Sequence, residues 1–129
     1  SQDGGTATRL PIVVLVNRFS ASGSEVLSGA LQDRGRAIVM GEQTFGKGSV
    51  NTIHVLEDRS AIYLTSARWL TPQGRPIEGK GLAPDIAIEP PPEGTATEGD
   101  SRRDDGLAKA LEYLRQGKAQ PAAAGSGVR

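Results

Sequence analysis

The sequence of 129 residues predicts an α/β fold, and three patterns in its first third indicate this class. Residues 12–16 form a continuous β-branched and aliphatic run, which is typical of a central strand covered on both faces. Residues 24–33 carry apolar side chains at helical spacing, and residues 37–40 form a second short apolar run. The order of strand, helix and strand predicts a parallel unit with a right-handed crossover.

The rest of the chain adds a hairpin, another strand and a last helix to this prediction. Residues 52–56 and 61–67 alternate or are β-branched, and they flank the polar residues 57–60, which indicates a hairpin. A final strand is expected at 85–88, after turns rich in glycine and proline. Apolar residues at helical spacing predict a C-terminal helix at 107–117.

Composition divides the chain into an ordered body and less ordered ends. Residues 1–9 are polar with two consecutive glycines, so we expect a flexible lead-in there. Residues 10–90 contain the predicted strands, whereas residues 91–106 have almost no apolar side chains and predict a disordered linker. After the helix at 107–117, residues 118–129 predict a disordered tail.

Charge and composition exclude several classes of function. Lys and Arg total 15 and Asp and Glu total 15, so the net charge is zero and nucleic acid is not an expected partner. The absence of cysteine excludes disulfides, thiolate metal sites and a cysteine nucleophile. No His, Asp and Glu cluster has metal-ligand spacing, and we expect neither a metal nor an organic cofactor. No targeting or membrane-spanning segment is recognisable, so membrane anchoring stays open.

Two short motifs carry residues that a site could make reactive. Ser22 lies in a run of small polar residues between the first predicted strand and helix, so we expect its hydroxyl at a strand-to-helix turn. Lys47 is flanked by Gly46 and Gly48 in a tight loop. A serine nucleophile needs a base and an oxyanion site, and the amide of Gly23 at the start of the helix is a candidate oxyanion donor.

A lysine acts as a base only in a special environment. Its pKa must fall well below about 10.4, which burial in a low-dielectric site achieves. Phe45 and Val50 stand near Lys47 in the sequence and suit such an environment. By spacing alone, however, Ser22 is also a typical turn or capping residue, and Lys47 is also a typical solvated loop charge.

Two other interpretations compete for the same residues. Residues 41–47 read G-x-x-x-x-G-K after a strand, as in a phosphate-binding loop, but Gly48 stands where that loop needs Ser or Thr. The chain also continues into a β-like segment instead of a helix that would hold phosphate. His54 could complete a triad with Ser22 and Asp33, although alternation along its strand favours a solvated side chain.

Six segments of the chain match the motifs of a known family, and they occur in the same order as in that family. They are residues 17–25, 29–33, 36–37, 41, 44–50 and 80–85. With these motifs, residues 10–90 closely resemble the carboxyl-terminal processing (tail-specific) proteases. The 25-residue interval from Ser22 to Lys47 equals the spacing between nucleophile and base in that family.

The resemblance implies a serine endopeptidase of Ser-Lys type with a crotonase-like (ClpP/crotonase type) α/β fold. It implies a protein or peptide substrate with an exposed C-terminal tail. It also implies an extracytoplasmic location, such as the periplasm or the cell envelope. By motif position, Ser22 is the expected nucleophile, Lys47 its general base and Gly23 the backbone oxyanion donor.

Two further residues join the candidate catalytic group through the resemblance. Asp33 matches an aspartate that is sometimes counted with that group, although a structural bond at a helix end would also suit it. Asn51 replaces a family glutamine that helps to orient the lysine, and its stem is one methylene shorter. Gly23 stands where the family usually has alanine, which preserves the backbone amide.

We expect the chain to be the C-terminal part of a catalytic domain. The family's PDZ domain, the earlier half of its catalytic domain and a glycine-rich oxyanion segment have no counterpart in this sequence. Such a part would expose apolar surface, and a homodimer is one way to cover it. The alternatives to a serine endopeptidase are an inactive folding fragment or interaction module without a complete cleft, and a crotonase-like domain that binds an anion or carbonyl.

Overall fold

The computed structural model describes residues 10–90 and 104–117. Its elements are β1 (Val13–Val16), α1 (Gly23–Asp33), β2 (Ile38–Gly41), β3 (Ser49–Val55), β4 (Ala61–Arg68), β5 (Ile86–Ala87) and α2 (Asp105–Arg115). The predicted α/β class is confirmed. The lead-in at 1–9, the tail at 118–129 and most of the linker at 91–106 lie outside the described residues.

The parallel sheet has the strand order β1-β2-β5. β1 and β2 pair in parallel from Val13 opposite Ile38 to Val16 opposite Gly41, with α1 between them in the chain. The expectation of a central strand at 12–16 is wrong for the described part of the chain, because β1 is at the edge of this sheet and β2 is in its centre. The apolar character of β1 has another cause, since helix α2 packs against it.

Helix α2 belongs to the core of the sheet. Met40, Ile88 and Ala110 form a buried cluster on which partly buried apolar side chains of both sheet and helix pack. The helix begins at Asp105, two residues earlier than predicted, and ends at Arg115. The early start follows from capping, because the carboxylate of Asp104 accepts a hydrogen bond of 2.9 Å from the N–H of Leu107.

Helix α1 packs closely on the segment that follows the hairpin. A Cβ atom on Gly29 would lie 2.9 Å from Cγ2 of Thr71 and 3.3 Å from Cδ1 of Leu82. Thr71 and Leu82 are both buried. The glycine in the middle of α1 therefore permits a close approach that a larger residue would prevent without a shift of its neighbours.

Strands β3 and β4 form a separate antiparallel hairpin. Their pairing starts at Ser49, three residues before the predicted strand, and includes an irregularity at the next residue. Apolar side chains of the hairpin are exposed, among them Ile53, Val55, Tyr63 and Leu64. A two-stranded hairpin is only marginally stable by itself in water. Its exposed apolar side chains form a surface that additional protein could cover.

Strand β5 is shorter than the predicted strand at 85–88 because Asp85 pairs irregularly. The N–H of Asp85 donates to the carbonyl of Val39 at 2.8 Å, and its carboxylate accepts the N–H of Val39 at 2.8 Å. The side chain thus takes a bond that a backbone carbonyl takes in a regular ladder. Strand pairing begins only at the next residue, Ile86.

We expect Gly41→Ala to be strongly destabilising. Gly41 has φ +129°, and an added Cβ would lie 1.9 Å from the carbonyl oxygen of Val16. The expected loss in the free energy of unfolding is about 3 kcal/mol or more, measured by urea denaturation. Gly74→Ala is the control, because Gly74 also has positive φ but open space around it, and about 1 kcal/mol is expected there. Equal losses for both variants would contradict the steric argument.

Candidate active site

Ser22 occupies a sharp turn between β1 and α1. Its φ of 56° and ψ of −120° make it one of two non-glycine residues with positive φ in the described part of the chain. Such a conformation costs about 1–3 kcal/mol and persists only where the surrounding structure enforces it. A serine on a strained strand-to-helix turn is the arrangement that presents the nucleophile in α/β-hydrolases. The half-buried Ser22 therefore has the backbone geometry of a presented hydroxyl.

Gly23 places an amide beside this hydroxyl. As the first residue of α1, it has an N–H group without a carbonyl partner inside the helix, at the positive end of the helix dipole. Gly23 is exposed, and apart from its chain neighbours and the adjacent backbone of α1, no heavy atom lies within 4 Å of a Cβ built on it. There is room for a carbonyl group next to the amide, and an alanine at this position would also fit.

The loop that carries Lys47 lies directly against the backbone of a second loop. A Cβ atom on Gly46 would lie 2.8 Å from the nitrogen of Gly81, and one on Gly48 would lie 2.5 Å from the nitrogen of Glu78. Real Cβ atoms do not approach backbone atoms so closely. The two glycines beside Lys47 are therefore required by packing.

A buried carboxylate joins the serine turn to the lysine loop. Glu25 has no exposed surface, and its Oε2 accepts the backbone N–H groups of Ser22 at 2.9 Å and Lys47 at 2.8 Å. Its Oε1 accepts the N–H of Gly46 at 2.7 Å and the hydroxyl of Thr44 at 2.5 Å. Because both nitrogens bond to one oxygen, the backbones of Ser22 and Lys47 lie within about 6 Å of each other.

Sequence reasoning missed Glu25 as a member of the site. Ser22 and Glu25 have the S-x-x-E spacing of a capping box, which indicates the hydrogen bond that the N–H of Ser22 donates to the carboxylate of Glu25. No local signal indicates the other three bonds, because their donors lie 19 to 22 residues further along the chain.

The side chain of Lys47 is exposed in the described part of the protein. Phe45, which by its apolar character suits a low-dielectric site, is itself 65% exposed, and Val50 is half-buried. The described residues therefore do not form the low-dielectric surroundings that a lysine base needs.

The amide of Asn51 is engaged within the hairpin. Its Oδ1 accepts the hydroxyl of Thr65 at 2.7 Å, and its Nδ2 donates to the hydroxyl of Ser49 at 3.4 Å. Among the described residues, no hydrogen bond joins Asn51 to Lys47. The role of Asn51 in orienting the lysine stays a prediction.

Asp33 lies at the opposite end of α1 from Ser22, about 16 Å away along the helix axis. Its carboxylate accepts the N–H of Gln73 at 2.9 Å and forms an ion pair with Arg75. Burial raises the pKa of Asp33, but hydrogen bonds from Thr71, Gln73 and Arg75 and the charge of Arg75 outweigh it and hold the pKa below its ordinary value of 3.8. The structure thus does not bring Asp33 to the other candidate residues, and its catalytic assignment stays a prediction.

The two competing interpretations gain no support from this arrangement. His54 is exposed on β3 opposite Ile62, while the carboxylate of Asp33 is bound to Arg75, so the described residues contain no assembled triad. After Lys47 the chain enters β3, as the sequence predicts, and no helix begins there. The helix N-terminus of a phosphate-binding loop is therefore missing at this position.

A cleft of about 340 Å³ borders the turn before Ser22. Asn17 and Ser20 of this turn contribute to its lining, and the carboxyl ends of the three parallel strands provide its floor. Open α/β sheets bind ligands at this end of their strands. Its acidic lining residues are Glu42, Glu89, Asp104 and Asp105.

In residues 10–90 and 104–117, no three acidic or histidine side chains are grouped so that they could hold a metal ion. In the same residues, neither helix has the length and apolar character needed to cross a membrane.

Comparison with known proteins identifies the family. The pattern that defines Peptidase family S41 matches residues 1–88, which is more than half of the chain. The chain belongs to Peptidase family S41. The resemblance that the motifs indicate is thereby confirmed.

The relatives that match are longer than this chain. A carboxy-terminal-processing protease of Bartonella bacilliformis is 50% identical over 88 residues, which cover 68% of this chain and 20% of that protein. The chloroplastic carboxyl-terminal-processing peptidase 3 of Arabidopsis thaliana is 50% identical over 84 residues, 65% of this chain and 16% of that protein. The solved structure of a photosystem II D1 C-terminal processing protease aligns with a TM-score of 0.57 and 50% identity, over 62% of this chain and 21% of that one. The chain thus spans about a fifth of these relatives.

The lowered pKa of Asp33 predicts a pH-dependent contribution to stability. A carboxyl whose pKa is lower in the folded state stabilises the fold above its unfolded pKa, and this contribution is lost as the pH falls through the folded value. We expect Asp33→Asn to be less stable than the unchanged chain near pH 7 and to approach it below about pH 3.8. Urea denaturation across this range measures the difference, with the exposed Glu57→Gln as control. A loss that is the same at all pH values would contradict the ion-pair explanation.

Proposed function

We propose that the chain is part of the catalytic domain of a serine endopeptidase of Ser-Lys type, which cleaves protein substrates near their C-terminal tails. The observation that carries the proposal is the common attachment of the Ser22 turn and the Lys47 loop to one oxygen of Glu25. Membership of Peptidase family S41 and the names of the relatives, which are carboxyl-terminal processing proteases, support it.

In the proposed reaction, the hydroxyl of Ser22 attacks the carbonyl carbon of the scissile peptide bond. The neutral amine of Lys47 accepts the hydroxyl proton, and the N–H of Gly23 donates to the oxyanion of the tetrahedral intermediate. The protonated lysine then gives its proton to the amine of the scissile bond. The amine departs as the C–N bond breaks, and the acyl part of the substrate stays on Ser22 as an ester. Water, activated by the same amine, hydrolyses this ester and frees the enzyme.

The mechanism requires the amine of Lys47 to be neutral in the free enzyme. The exposed side chains of Lys47 and Phe45 leave this requirement unmet by the described residues. We propose that bound substrate, or protein outside the described residues, covers this face and removes water from the amine. Activity would then depend on that cover as much as on the two reacting residues.

Asp33 and Asn51 receive supporting roles in this proposal. Asp33 holds the turn that contains Gln73 and Arg75 against the end of α1, which fixes the position of the helix that presents Ser22. Asn51 joins the two strands of the hairpin through Thr65, directly after the lysine loop. The catalytic assignment of Asp33 and the orientation of Lys47 by Asn51 stay predictions beside these structural roles.

The crotonase-like fold and an extracytoplasmic location complete the proposal. Family membership supports the fold. The location is supported by the chloroplastic relative of Arabidopsis thaliana, whose name assigns it to a compartment outside the cytosol.

An inactive folding fragment or interaction module is the alternative function. The exposure of Lys47 favours it, because the described residues do not exclude water from the proposed base. Proteins of this kind would keep the backbone arrangement of the site without reacting.

Covalent labelling with a serine-directed fluorophosphonate tests the proposal. We expect mass spectrometry to find the label on Ser22, and we expect Ser22→Ala to abolish labelling and Lys47→Ala to reduce it by about 100-fold or more. Ser24→Ala, next to the site, is the control and should still be labelled at Ser22. A folded chain that remains unlabelled at all pH values would favour the inactive alternative.

Self-association is a further prediction, motivated by the exposed apolar side chains of the hairpin, such as Ile53 and Tyr63. Sedimentation velocity should detect a homodimer whose population rises with concentration. Ile53→Thr is expected to weaken it. A monomer at the highest soluble concentration would exclude this association.

A further inference from the structure

We propose that Glu25 is a positioning residue for the reaction between Ser22 and Lys47. Its carboxylate does not reach the substrate, but it sets the distance and orientation between the nucleophile turn and the base loop. The proposal rests on the serine endopeptidase function proposed above and adds the residue on which its geometry depends.

The carboxylate of Glu25 accepts more hydrogen bonds than the capping of a helix requires. A buried carboxylate is costly unless its oxygens accept several hydrogen bonds, and each oxygen of Glu25 accepts two. Capping of α1 accounts only for the bond from the N–H of Ser22. The other three donors belong to Thr44, Gly46 and Lys47, so most of the bonds serve the attachment of the lysine loop.

The donors include the backbone N–H groups of the two reacting residues themselves. Any movement of the Glu25 carboxylate therefore moves the main chain from which both reacting side chains extend. A misplacement of about 1 Å between reacting groups can lower a rate by about 100-fold. The bond to Ser22 also helps to hold its strained backbone, with φ of 56°, in place.

A third segment reaches the same carboxylate through Thr44. The hydroxyl of Thr44 donates to Glu25 and accepts the N–H of Leu82 at 2.7 Å. Thr44 is buried, and its own N–H donates to the carbonyl of Leu82 at 3.1 Å. The serine turn, the lysine loop and the loop that ends at Leu82 thus share one polar centre.

Glutamine cannot replace all four bonds. Its side chain has one acceptor oxygen, and the NH₂ group in place of the other oxygen faces N–H donors. If the amide oxygen keeps Ser22 and Lys47, the N–H of Gly46 loses its acceptor. If the amide turns round, Ser22 and Lys47 lose theirs. Glu25→Gln therefore preserves the size of the side chain and loosens the loop.

The experiment compares Glu25→Gln with Glu78→Gln in the full 129-residue chain. The carboxylate of Glu78 also accepts an N–H group of the lysine loop, that of Gly48 at 2.7 Å, but it is exposed and has no bond to Ser22. Two quantities are measured for each variant: the rate of fluorophosphonate labelling of Ser22 as a function of reagent concentration, and the hydrogen exchange of individual amides by NMR.

For Glu25→Gln, we expect the labelling rate at saturating reagent to fall by about 10- to 100-fold, with little change in the concentration for half-maximal rate. Amide exchange at Gly46 or Lys47 should become faster, while exchange in β1 and β2 stays unchanged. For Glu78→Gln, the labelling rate should stay within about twofold of that of the unchanged chain. A purely structural role would lower the amount of folded protein without altering the rate constant of the folded fraction.

Thr44 provides a second pair of variants in case Glu25→Gln does not fold. Thr44→Val removes the hydroxyl that donates to Glu25, whereas Thr44→Ser retains it. We expect Thr44→Val to slow labelling and Thr44→Ser to restore most of the rate. Equal rates in these two variants would count against the proposal.

Failure of the positioning role is distinguishable from failure of the proposed function. If the unchanged chain is labelled and Glu25→Gln is labelled at the same saturating rate, the positioning role is overturned while the protease function stands. If the unchanged chain is not labelled, the proposed function fails for this chain, and amide exchange then tests the role of Glu25 by itself. Unchanged exchange at Gly46 and Lys47 in Glu25→Gln would then overturn the role of Glu25, and faster exchange would support it.

Discussion

The burial of a negative charge at Glu25 is the constraint on which the arrangement of the site depends. A carboxylate with no exposed surface is stable only when hydrogen-bond donors replace the water that it has lost. One donor is local, and the other three come from a loop that is distant in sequence. The fold therefore has to bring the lysine loop to the start of α1.

Close backbone packing is the second condition for this arrangement. The lysine loop reaches Glu25 while it also lies against the loop that contains Gly81. The contact between the two loops is close, because an added Cβ on Gly81 would be 2.2 Å from the carbonyl oxygen of Thr44. Glycines at these contacts leave room for backbone to meet backbone. The glycines around Lys47 are thus explained by packing.

Two carboxylates fix the two ends of α1. Glu25 binds the lysine loop at the N-terminal end, and Asp33 binds the N–H of Gln73 and the side chain of Arg75 at the C-terminal end. In both cases a side chain of the helix accepts backbone N–H groups from a loop more than 15 residues away. The helix that carries Ser22 is therefore held at both of its ends.

The sequence by itself determined the features that depend on neighbouring residues. Apolar periodicity predicted the order of strands and helices, and the run of small residues placed Ser22 at a strand-to-helix turn. These predictions succeed because the interactions behind them join residues a few positions apart. The resemblance to family motifs then led to the prediction that Lys47 is the partner of Ser22, which periodicity alone could not give.

Only the tertiary structure decided which distant groups meet. It placed β1 at the edge of the described sheet, bound Asp33 to Arg75 instead of the candidate residues, and left the amine of Lys47 exposed. It also gave Glu25 its three distant donors. The physical reason is that residues far apart in sequence come together only when several elements pack at once, and no local pattern encodes the partner of a buried charge.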